Sequence, residues 1–309
     1  MGLVLAFLLA VTTLSQQVTC ATLRPSYKAI FNFGDSFSDT GNAAILAPKG
    51  LYIVNPPYGE AYFNRPTGRA SNGRVVLDFI AQSIPLPLVP PYLAKGQDFS
   101  KGANFAVARA TALDFNFYKE NNIIPTSSLT LLNISLSVQL NWFENLKPSL
   151  CNITDACNLY FNSSLFLLGT IGFSDYNTML TAGKTLDFVN SKVPDVVGSI
   201  TSAATDAVKQ LQIEFPKAVI SYADYYQPIT EFLAKPTLYG FTVNGSPLVA
   251  CCGGGGPYNY NSSAVCGQSG VAACPDPTTV NWDGIAFTEK AYNIIANGWR
   301  NGLFAIPPI

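Results

Sequence analysis

The sequence contains no histidine, and only 12% of its 309 residues are charged. Its 18 basic and 19 acidic residues form no cluster of one sign, so nothing in the chain attracts nucleic acid or an anionic membrane surface. Without histidine, and with cysteine spacings unlike those of a zinc finger or ribbon, neither a metal site nor a cofactor is expected. The expected partners are small molecules or neutral surfaces.

Long hydrophobic runs are also scarce. The apolar run from Leu3 to Leu14 is too short to span a bilayer, and polar residues lead from it to Cys20. This pattern is typical of a secretory signal peptide at residues 1–20, although its start lacks Lys and Arg. Residues 21–309 are then expected to form one domain that is secreted or vacuolar and has no stable membrane insertion, because no later run is long enough for a transmembrane helix.

The cysteine count agrees with an oxidising compartment. Seven cysteines occur, and cleavage after Cys20 leaves six, an even number. Cys151 with Cys157 would close a small loop, and the remaining four would staple a glycine-rich segment: Cys251, Cys252, Cys266 and Cys274. Five Asn-x-Ser/Thr sequons are candidate glycosylation sites on the same route: Asn133, Asn152, Asn162, Asn244 and Asn261.

Strand-like and helix-like segments alternate along the chain. The apolar run from Ala29 to Phe33 predicts a buried strand that stops at Gly34-Asp35-Ser36. Further strands are predicted at Gly102 to Ala108, Ser164 to Ile171 and Ala218 to Tyr222, and helices at Val75 to Ser83, Pro194 to Glu214 and Thr288 to Asn297. Strands separated by helices indicate an α/β fold with a doubly wound parallel sheet flanked by helices.

Four consecutive glycines, Gly253 to Gly256, follow Cys251 and Cys252. A glycine-rich loop can cradle a phosphate, but here no Lys-Ser/Thr pair follows and no helix clearly starts. A loop pinned by disulfides is the favoured interpretation.

Four blocks of the sequence resemble the plant GDSL esterase/lipase family of the SGNH-hydrolase superfamily, and most closely its branch containing acetylajmalan esterase. The blocks begin at Gly34-Asp35-Ser36, Lys101-Gly102, Leu168-Gly169 and Trp282-Asp283. The resemblance covers nearly the whole mature chain. It implies the SGNH fold, ester hydrolysis through an acyl-enzyme, and a small-molecule ester or glycoside-like ligand as the partner.

The resemblance also implies roles for single residues. Ser36 would be the nucleophile, its backbone N–H would form the oxyanion hole with Gly102, and Asp283 would orient the base. Three positions depart from the pattern. The side-chain oxyanion donor, Asn in the family, is Ser174; the catalytic His is Ala286; and a usual glycine is Arg109. Because the chain holds no other histidine, triad hydrolysis is expected to be strongly impaired.

A further departure is a shortening after about residue 211, where the resemblance implies one more strand-helix unit of some sixty residues. Two arrangements stay open. The Ala218 strand pairs directly with the Ser164 strand through a right-handed crossover, or the sheet has a gap and stability suffers.

Plainer roles are open for the same residues. In this interpretation Ser36 only turns the chain, Asp35 and Asp39 are local hydrogen-bonding groups, and Asp283 caps the helix that follows. Ser174 and Asp175 are then turn residues, and Trp282 and Phe287 are packing residues. Three functions therefore compete: an impaired or inactive ester hydrolase, a repurposed enzyme whose chemistry needs no imidazole, and a secreted non-catalytic binding or defence protein.

Overall fold

A computed structural model describes residues 27–49, 51–123, 133–214, 219–243 and 245–309, and only the backbone of residues 206–214. The predicted signal peptide at residues 1–20, the start of the predicted Ala218 strand and the sequon at Asn244 lie outside the described residues.

The predicted strand after residue 28 is the centre of the main sheet. Strand β1 (Ala29–Phe33) is buried along its whole length and lies between β2 (Gly102–Asn104) and β3 (Ser164–Leu168). Both neighbours run parallel to β1, in the order β2-β1-β3. A run of aromatic and β-branched residues buried on both faces is typical of a central parallel strand.

Helices connect the strands and cover the sheet. They are α1 (Asn42–Leu46), α2 (Glu60–Phe63), α3 (Val76–Ser83), α4 (Phe115–Glu120), α5 (Leu136–Leu150), α6 (Thr154–Asn162), α7 (Phe173–Thr181), α8 (Leu186–Ser191), α9 (Val193–Glu214), α10 (Tyr226–Ala234) and α11 (Glu289–Asn301). Single 3₁₀ turns occur at Tyr52–Val54, Pro236–Tyr239 and Pro257–Asn259.

The side chains of β1 divide between two cores. Ile30 packs with α3 and α11 on one face, while Phe31 and Phe33 pack with α5 and α6 on the other. Because successive side chains of a strand point to opposite faces, helices cover both sides of the sheet. The predicted doubly wound α/β architecture is therefore confirmed.

The predicted helices are confirmed within one residue at their starts. The third begins at Glu289 because the Thr288 hydroxyl caps it, accepting a hydrogen bond from the Ala291 N–H at 3.4 Å. It runs to Asn301, four residues beyond the predicted end, and closes at Gly302, whose φ of 77° lies in the left-handed region. None of the helices that the structure describes is long and apolar enough to cross a membrane.

Two strands are shorter than predicted. β2 ends at Asn104 rather than Ala108, although the Phe105 and Val107 N–H groups still donate to the Asn32 and Gly34 carbonyls at 2.8 and 3.2 Å. β3 ends at Leu168 rather than Ile171, where Gly169 adopts a φ of 113°.

The predicted strand near Ala218 does not join the main sheet. Of its described residues only Tyr222 is in a strand, β4 (Tyr222–Ala223), which pairs antiparallel with β5 (Ala305–Ile306) in a separate two-stranded sheet. Within the described residues, direct pairing with the Ser164 strand is therefore wrong. Among the described strands β3 has only β1 beside it, and its last residue, Leu168, is 39% exposed.

Candidate active site

Ser36 lies in the turn that follows β1, and its side chain is half-buried. The turn is fastened through its neighbours: the buried Gln139 accepts from the Gly34 N–H and donates to the Gly34 carbonyl, both at 2.9 Å. The Asp35 N–H donates to the Thr170 carbonyl at 2.9 Å, which ties the turn to the segment after β3. Ser36 therefore stands on a fixed turn at the carboxyl end of the sheet, where α/β folds bind ligands.

The predicted local roles of Asp35 and Asp39 are confirmed. One oxygen of Asp35 accepts from the Phe37 N–H at 3.2 Å and from the Thr170 hydroxyl at 2.8 Å. The Asp39 carboxylate accepts from four backbone N–H groups, those of Gly41, Asn42, Ala43 and Ala108. Asp39 thus joins the Ser36 turn to the start of α1 and to the segment after β2.

Gly102 is not brought together with Ser36. It lies at the beginning of β2 opposite Ile30, six residues before Ser36 along β1, and its N–H donates to the Phe99 carbonyl at 2.9 Å. A Cβ at this position would stand 1.9 Å from the Ile30 carbonyl oxygen, so glycine is needed for close approach of the two strands. The oxyanion role of Gly102 stays a prediction.

The segment that does reach the serine turn is the one after β2. The Val107 N–H donates to the Gly34 carbonyl at 3.2 Å, and two residues on Arg109 has a φ of 72°. This is the left-handed region, which glycine adopts without steric cost. The geometry accounts for the glycine that the family resemblance implies at position 109.

Ser174 is the second residue of α7, and only 9% of it is exposed. Its neighbour Phe173 meets Phe37 edge to face, with ring centroids 6.4 Å apart, so the start of α7 lies beside the serine turn. The next residue, Asp175, holds α7 to the segment that contains Ala112, Leu113 and Tyr118. Its carboxylate accepts from the N–H groups of Ala112 and Leu113 and from the Tyr118 hydroxyl.

Both oxygens of the Asp283 carboxylate accept hydrogen bonds from within the protein. One oxygen accepts from the Ile285 and Ala286 N–H groups at 2.9 and 2.7 Å, and the other accepts from the Tyr58 hydroxyl at 2.7 Å. Asp283 therefore closes its own turn and does not cap α11, since Thr288 does that. Burial, with the Asp283 charge, raises the pKa of Tyr58, which keeps this hydroxyl a donor.

Position 286 is buried close to the serine turn. Ala286 is 2% exposed, and the ring of the next residue, Phe287, stacks on that of Phe37 with centroids 5.4 Å apart. The residue after Ser36 and the residue after Ala286 are thus in contact. The predicted packing roles of Phe287 and Trp282 are confirmed, Trp282 being 1% exposed.

Three buried polar atoms around Phe37 have no hydrogen-bond partner among the described residues. They are one carboxylate oxygen of Asp35 and the hydroxyls of Tyr225 and Tyr292, and both tyrosine rings contact Phe37. Burial raises the pKa of Asp35 to about 7 and the pKa of both tyrosines well above the usual value. The charge of Asp35 adds to the rise at both tyrosines, and that of Asp283 at Tyr292. These hydroxyls stay protonated and are donors.

Sequence reasoning missed Gln139 and the two tyrosines, Tyr58 and Tyr292. A signal existed for Gln139: it is a polar residue three positions after Leu136 and four before Phe143, on the apolar face of α5. Nothing local marks Tyr58, which meets Asp283 across 225 positions of sequence.

The remaining predicted features are placed plainly. The disulfides Cys151–Cys157, Cys251–Cys274 and Cys252–Cys266 are present, so the disulfide-pinned loop is confirmed. The sequon asparagines Asn133, Asn152, Asn162 and Asn261 are exposed. Within the described residues, no three His, Cys, Asp or Glu side chains gather as metal ligands.

The parallel sheet thus has a serine turn at its carboxyl end, and the ring contact between Phe37 and Phe287 brings the Asp283 turn beside it. The comparisons identify the family. Residues 30–299 match the model of the GDSL-like Lipase/Acylhydrolase family. The chain is 40% identical to GDSL esterase/lipase At5g45910 of Arabidopsis thaliana, covering 98% of this chain and 96% of that relative. It is 35% identical to Sinapine esterase of Brassica napus, covering 94% and 90%.

This chain therefore belongs to the GDSL lipase/acylhydrolase family and has its SGNH-hydrolase fold. Its predicted place in the branch with acetylajmalan esterase stays a prediction. The alignment with At5g45910 runs over 369 positions while this chain has 309 residues, so at least 60 positions of the alignment have no counterpart here. A difference of that size agrees with the some sixty residues that the sequence resemblance implies are absent.

Proposed function

We propose that this protein retains the ester-binding cleft of its family, with Ser36 at the nucleophile position, but turns esters over slowly. The proposal rests on two features of the turn at Asp283: the residue at position 286 and the hydrogen bonds of the Asp283 carboxylate. Position 286 holds a buried alanine, and every acceptor contact of Asp283 is made to Ile285, Ala286 or Tyr58. A serine hydroxyl without a base is a poor nucleophile.

The expected loss in the rate of ester hydrolysis follows from the effect of removing the same base in subtilisin. Removing the histidine of subtilisin lowers kcat by on the order of 10⁶, which is roughly 8 kcal/mol of activation free energy. The Ser36 N–H and the Ser174 hydroxyl are proposed oxyanion donors, and a serine reaches less far than the asparagine implied by the family resemblance. Losing one such donor costs another 10² to 10³ or so.

The test is hydrolysis of p-nitrophenyl acetate and butyrate by the parent and by Ala286→His. An imidazole at this position would lie beside Asp283, so kcat/KM should rise by at least about 10², and Ser36→Ala in that background should abolish the gain. Adding Tyr58→Phe should raise it further, because it removes the hydroxyl that competes for Asp283. Ala286→Asn is the control for bulk without a base and should stay at the parent level.

Two results would contradict the proposal. Parent activity that is already high and lost in Ser36→Ala would show that Ser36 has another base. A gain in Ala286→Asn equal to that in Ala286→His would mean that shape, and not proton transfer, limits the rate. Thermal unfolding of each variant separates an inactive site from an unfolded chain.

A second candidate is a repurposed enzyme for acyl transfer or rearrangement, in which the substrate supplies the base. The buried hydroxyl of Tyr292, which donates to no described acceptor and lies near Asp35 and Asp283, favours it, because such a donor can stabilise negative charge that develops in the site. Labelling by a fluorophosphonate reports on Ser36 directly. Labelling of the parent that Tyr292→Phe removes supports this candidate, and absence of label at high reagent concentration speaks against it.

The proposal includes the secretory route, to the outside of the cell or to the vacuole, with cleavage after Cys20 and glycans on the exposed sequons. Three disulfides support it, since such bonds persist in oxidising compartments. N-terminal sequencing and intact-mass measurement of the protein released by plant cells test it. A mature chain that still begins at Met1 and carries no glycan would refute it.

A further inference from the structure

An open cavity of about 720 Å³ lies beside the Asp283 turn, and it has no role in the site described above. Its wall includes Tyr258, Tyr260, Asn261 and Ser262, and it reaches Gly284, the residue after Asp283. None of the described residues that line it carries a charge. Its volume falls in the range of small-molecule sites, about 300 to 1,000 Å³.

The loop that carries the two tyrosines is held rigidly. The Cys252–Cys266 disulfide closes it, the Ala250 N–H donates to the Tyr258 carbonyl at 2.9 Å, and the Asn259 amide donates to the Ala250 carbonyl at 2.9 Å. Within this frame Tyr258 adopts a φ of 54°, a strained value for an aromatic residue, while its side chain stays 56% exposed. The fold thus holds an aromatic ring at the surface in a fixed position.

The second ring is fixed by contact with glycine. A Cβ on Gly284 would stand 2.3 Å from a ring carbon of Tyr260, and Gly284 has a φ of 96°. Tyr260 therefore lies directly on the backbone of the Asp283 turn, with no side chain between them. A rigid aromatic surface loses little conformational entropy on binding.

The residues that line the cavity indicate the class of ligand that it binds. Aromatic faces pack against apolar C–H surfaces, and Asn261 and Ser262 beside them are uncharged hydrogen-bonding residues. Without a charged lining residue among those described, the cavity offers no counter-ion to a phosphate or carboxylate. A pyranose ring has the matching chemistry, with C–H faces and neutral hydroxyls at its edge. We propose that this cavity binds a neutral sugar ring on Tyr258 and Tyr260, independently of turnover at Ser36.

Two kinds of molecule carry such a sugar ring. One is the protein's own glycan, since Asn261 lies in the cavity wall and begins the sequon Asn261-Ser262-Ser263. The other is the sugar portion of a free glycoside. Ser263→Ala distinguishes them, because it removes the sequon while leaving every named lining residue unchanged.

The experiment is saturation-transfer NMR on the secreted full chain with methyl β-D-glucopyranoside and N,N′-diacetylchitobiose. We expect transfer to the ring protons in Ser263→Ala, weakened about tenfold in affinity when Tyr258→Ala or Tyr260→Ala is added. Tyr222→Ala, a tyrosine 70% exposed on β4, is the matched control and should bind as before. Melting curves check that each variant is folded. If Tyr260→Ala unfolds the loop, Tyr258→Ala alone tests whether the aromatic rings bind the sugar.

The outcomes separate the sources and the alternatives. Binding in Ser263→Ala but not in the glycosylated parent identifies the protein's own glycan as the occupant, and binding in both identifies a free sugar. Either result supports the proposal. It is overturned if neither sugar shows transfer, if Tyr258→Ala and Tyr260→Ala bind like Tyr222→Ala, or if tetramethylammonium gives transfer where the sugars give none.

Discussion

Replacing Gln139 by leucine tests how the serine turn is held. The Gln139 amide makes two hydrogen bonds to the backbone of Gly34, both 2.9 Å long, and its side chain is completely buried. In Gln139→Leu the Gly34 carbonyl keeps a partner, the Val107 N–H at 3.2 Å, but the Gly34 N–H is left buried without one. An orphaned buried donor costs about 1 to 3 kcal/mol and the second lost bond about 0.5 to 1.5 kcal/mol. We expect the free energy of unfolding to fall by about 2 to 4 kcal/mol.

Gln82→Leu is the matched control. Gln82 also makes two side-chain hydrogen bonds, from Arg74 and to Tyr62, but it is exposed on α3, so water replaces them. Its substitution should change the free energy of unfolding by less than about 0.5 kcal/mol. Urea unfolding followed by tryptophan fluorescence, with the disulfides intact, measures both. Equal effects of the two substitutions would refute the argument that burial of the Gly34 bonds decides the cost.

Gln139→Glu adds a test by pH. An ionised carboxylate accepts from the Gly34 N–H but cannot donate to the Gly34 carbonyl, whereas the protonated form does both. The folded-state pKa of that carboxyl should therefore rise, and the variant should lose stability relative to the parent as pH increases from 4 to 8. A difference from the parent that does not change with pH would show that the carbonyl bond contributes nothing.

Two further predictions concern buried charges near the same turn. Arg69 forms a buried ion pair with Asp78, with two contacts of 2.8 Å, and also donates to the Thr40 carbonyl. Arg69→Met should lower the free energy of unfolding by about 3 to 5 kcal/mol, because it leaves the Asp78 charge buried without its partner. The double variant Arg69→Met/Asp78→Leu should recover most of that loss in the same urea assay. No recovery would show that lost packing, and not the stranded charge, is responsible. The Asp35 pKa rises from 3.8 to about 7 on folding, so protonation of Asp35 stabilises the fold below pH 4 and this contribution disappears as pH rises through 7. Asp35→Asn should therefore gain stability over the parent between pH 4 and 8, up to about 4 kcal/mol, and no gain at pH 8 would contradict the shift.

The parts of the structure that could be predicted are those whose cause is local in sequence. The apolar run of β1, the turn at Gly34 and the helix start at Thr288 each depend on neighbouring residues, and each is found as expected. The disulfides around the glycine-rich segment follow from the even number of cysteines in a short stretch. The position of Ser36 at the carboxyl end of the sheet follows from the same local pattern.

The parts that could not be predicted depend on distant contacts. β4 pairs with β5, whose residues lie more than eighty positions later in the sequence, and not with β3 of the main sheet. Gly102 shares a motif block with residues that reach the serine turn, but its own register places it opposite Ile30. The hydrogen bond from Tyr58 to Asp283 joins two turns whose proximity only the complete fold defines.

Asp283 and the unpartnered atoms near Phe37 differ in their hydrogen bonding. Asp283 is satisfied by Tyr58 and by its own turn, so its carboxylate is not stranded beside Ala286. Phe37 contacts Phe173, after β3, and Tyr225, after β4. Among the described residues, the buried polar atoms without a partner include those of Asp35, Tyr225 and Tyr292, which neighbour or contact Phe37, and also the indole N–H of Trp282, beside the Asp283 turn. Each such atom costs about 1 to 3 kcal/mol, so a base introduced at position 286, as proposed above, should leave the cost near Phe37 unchanged.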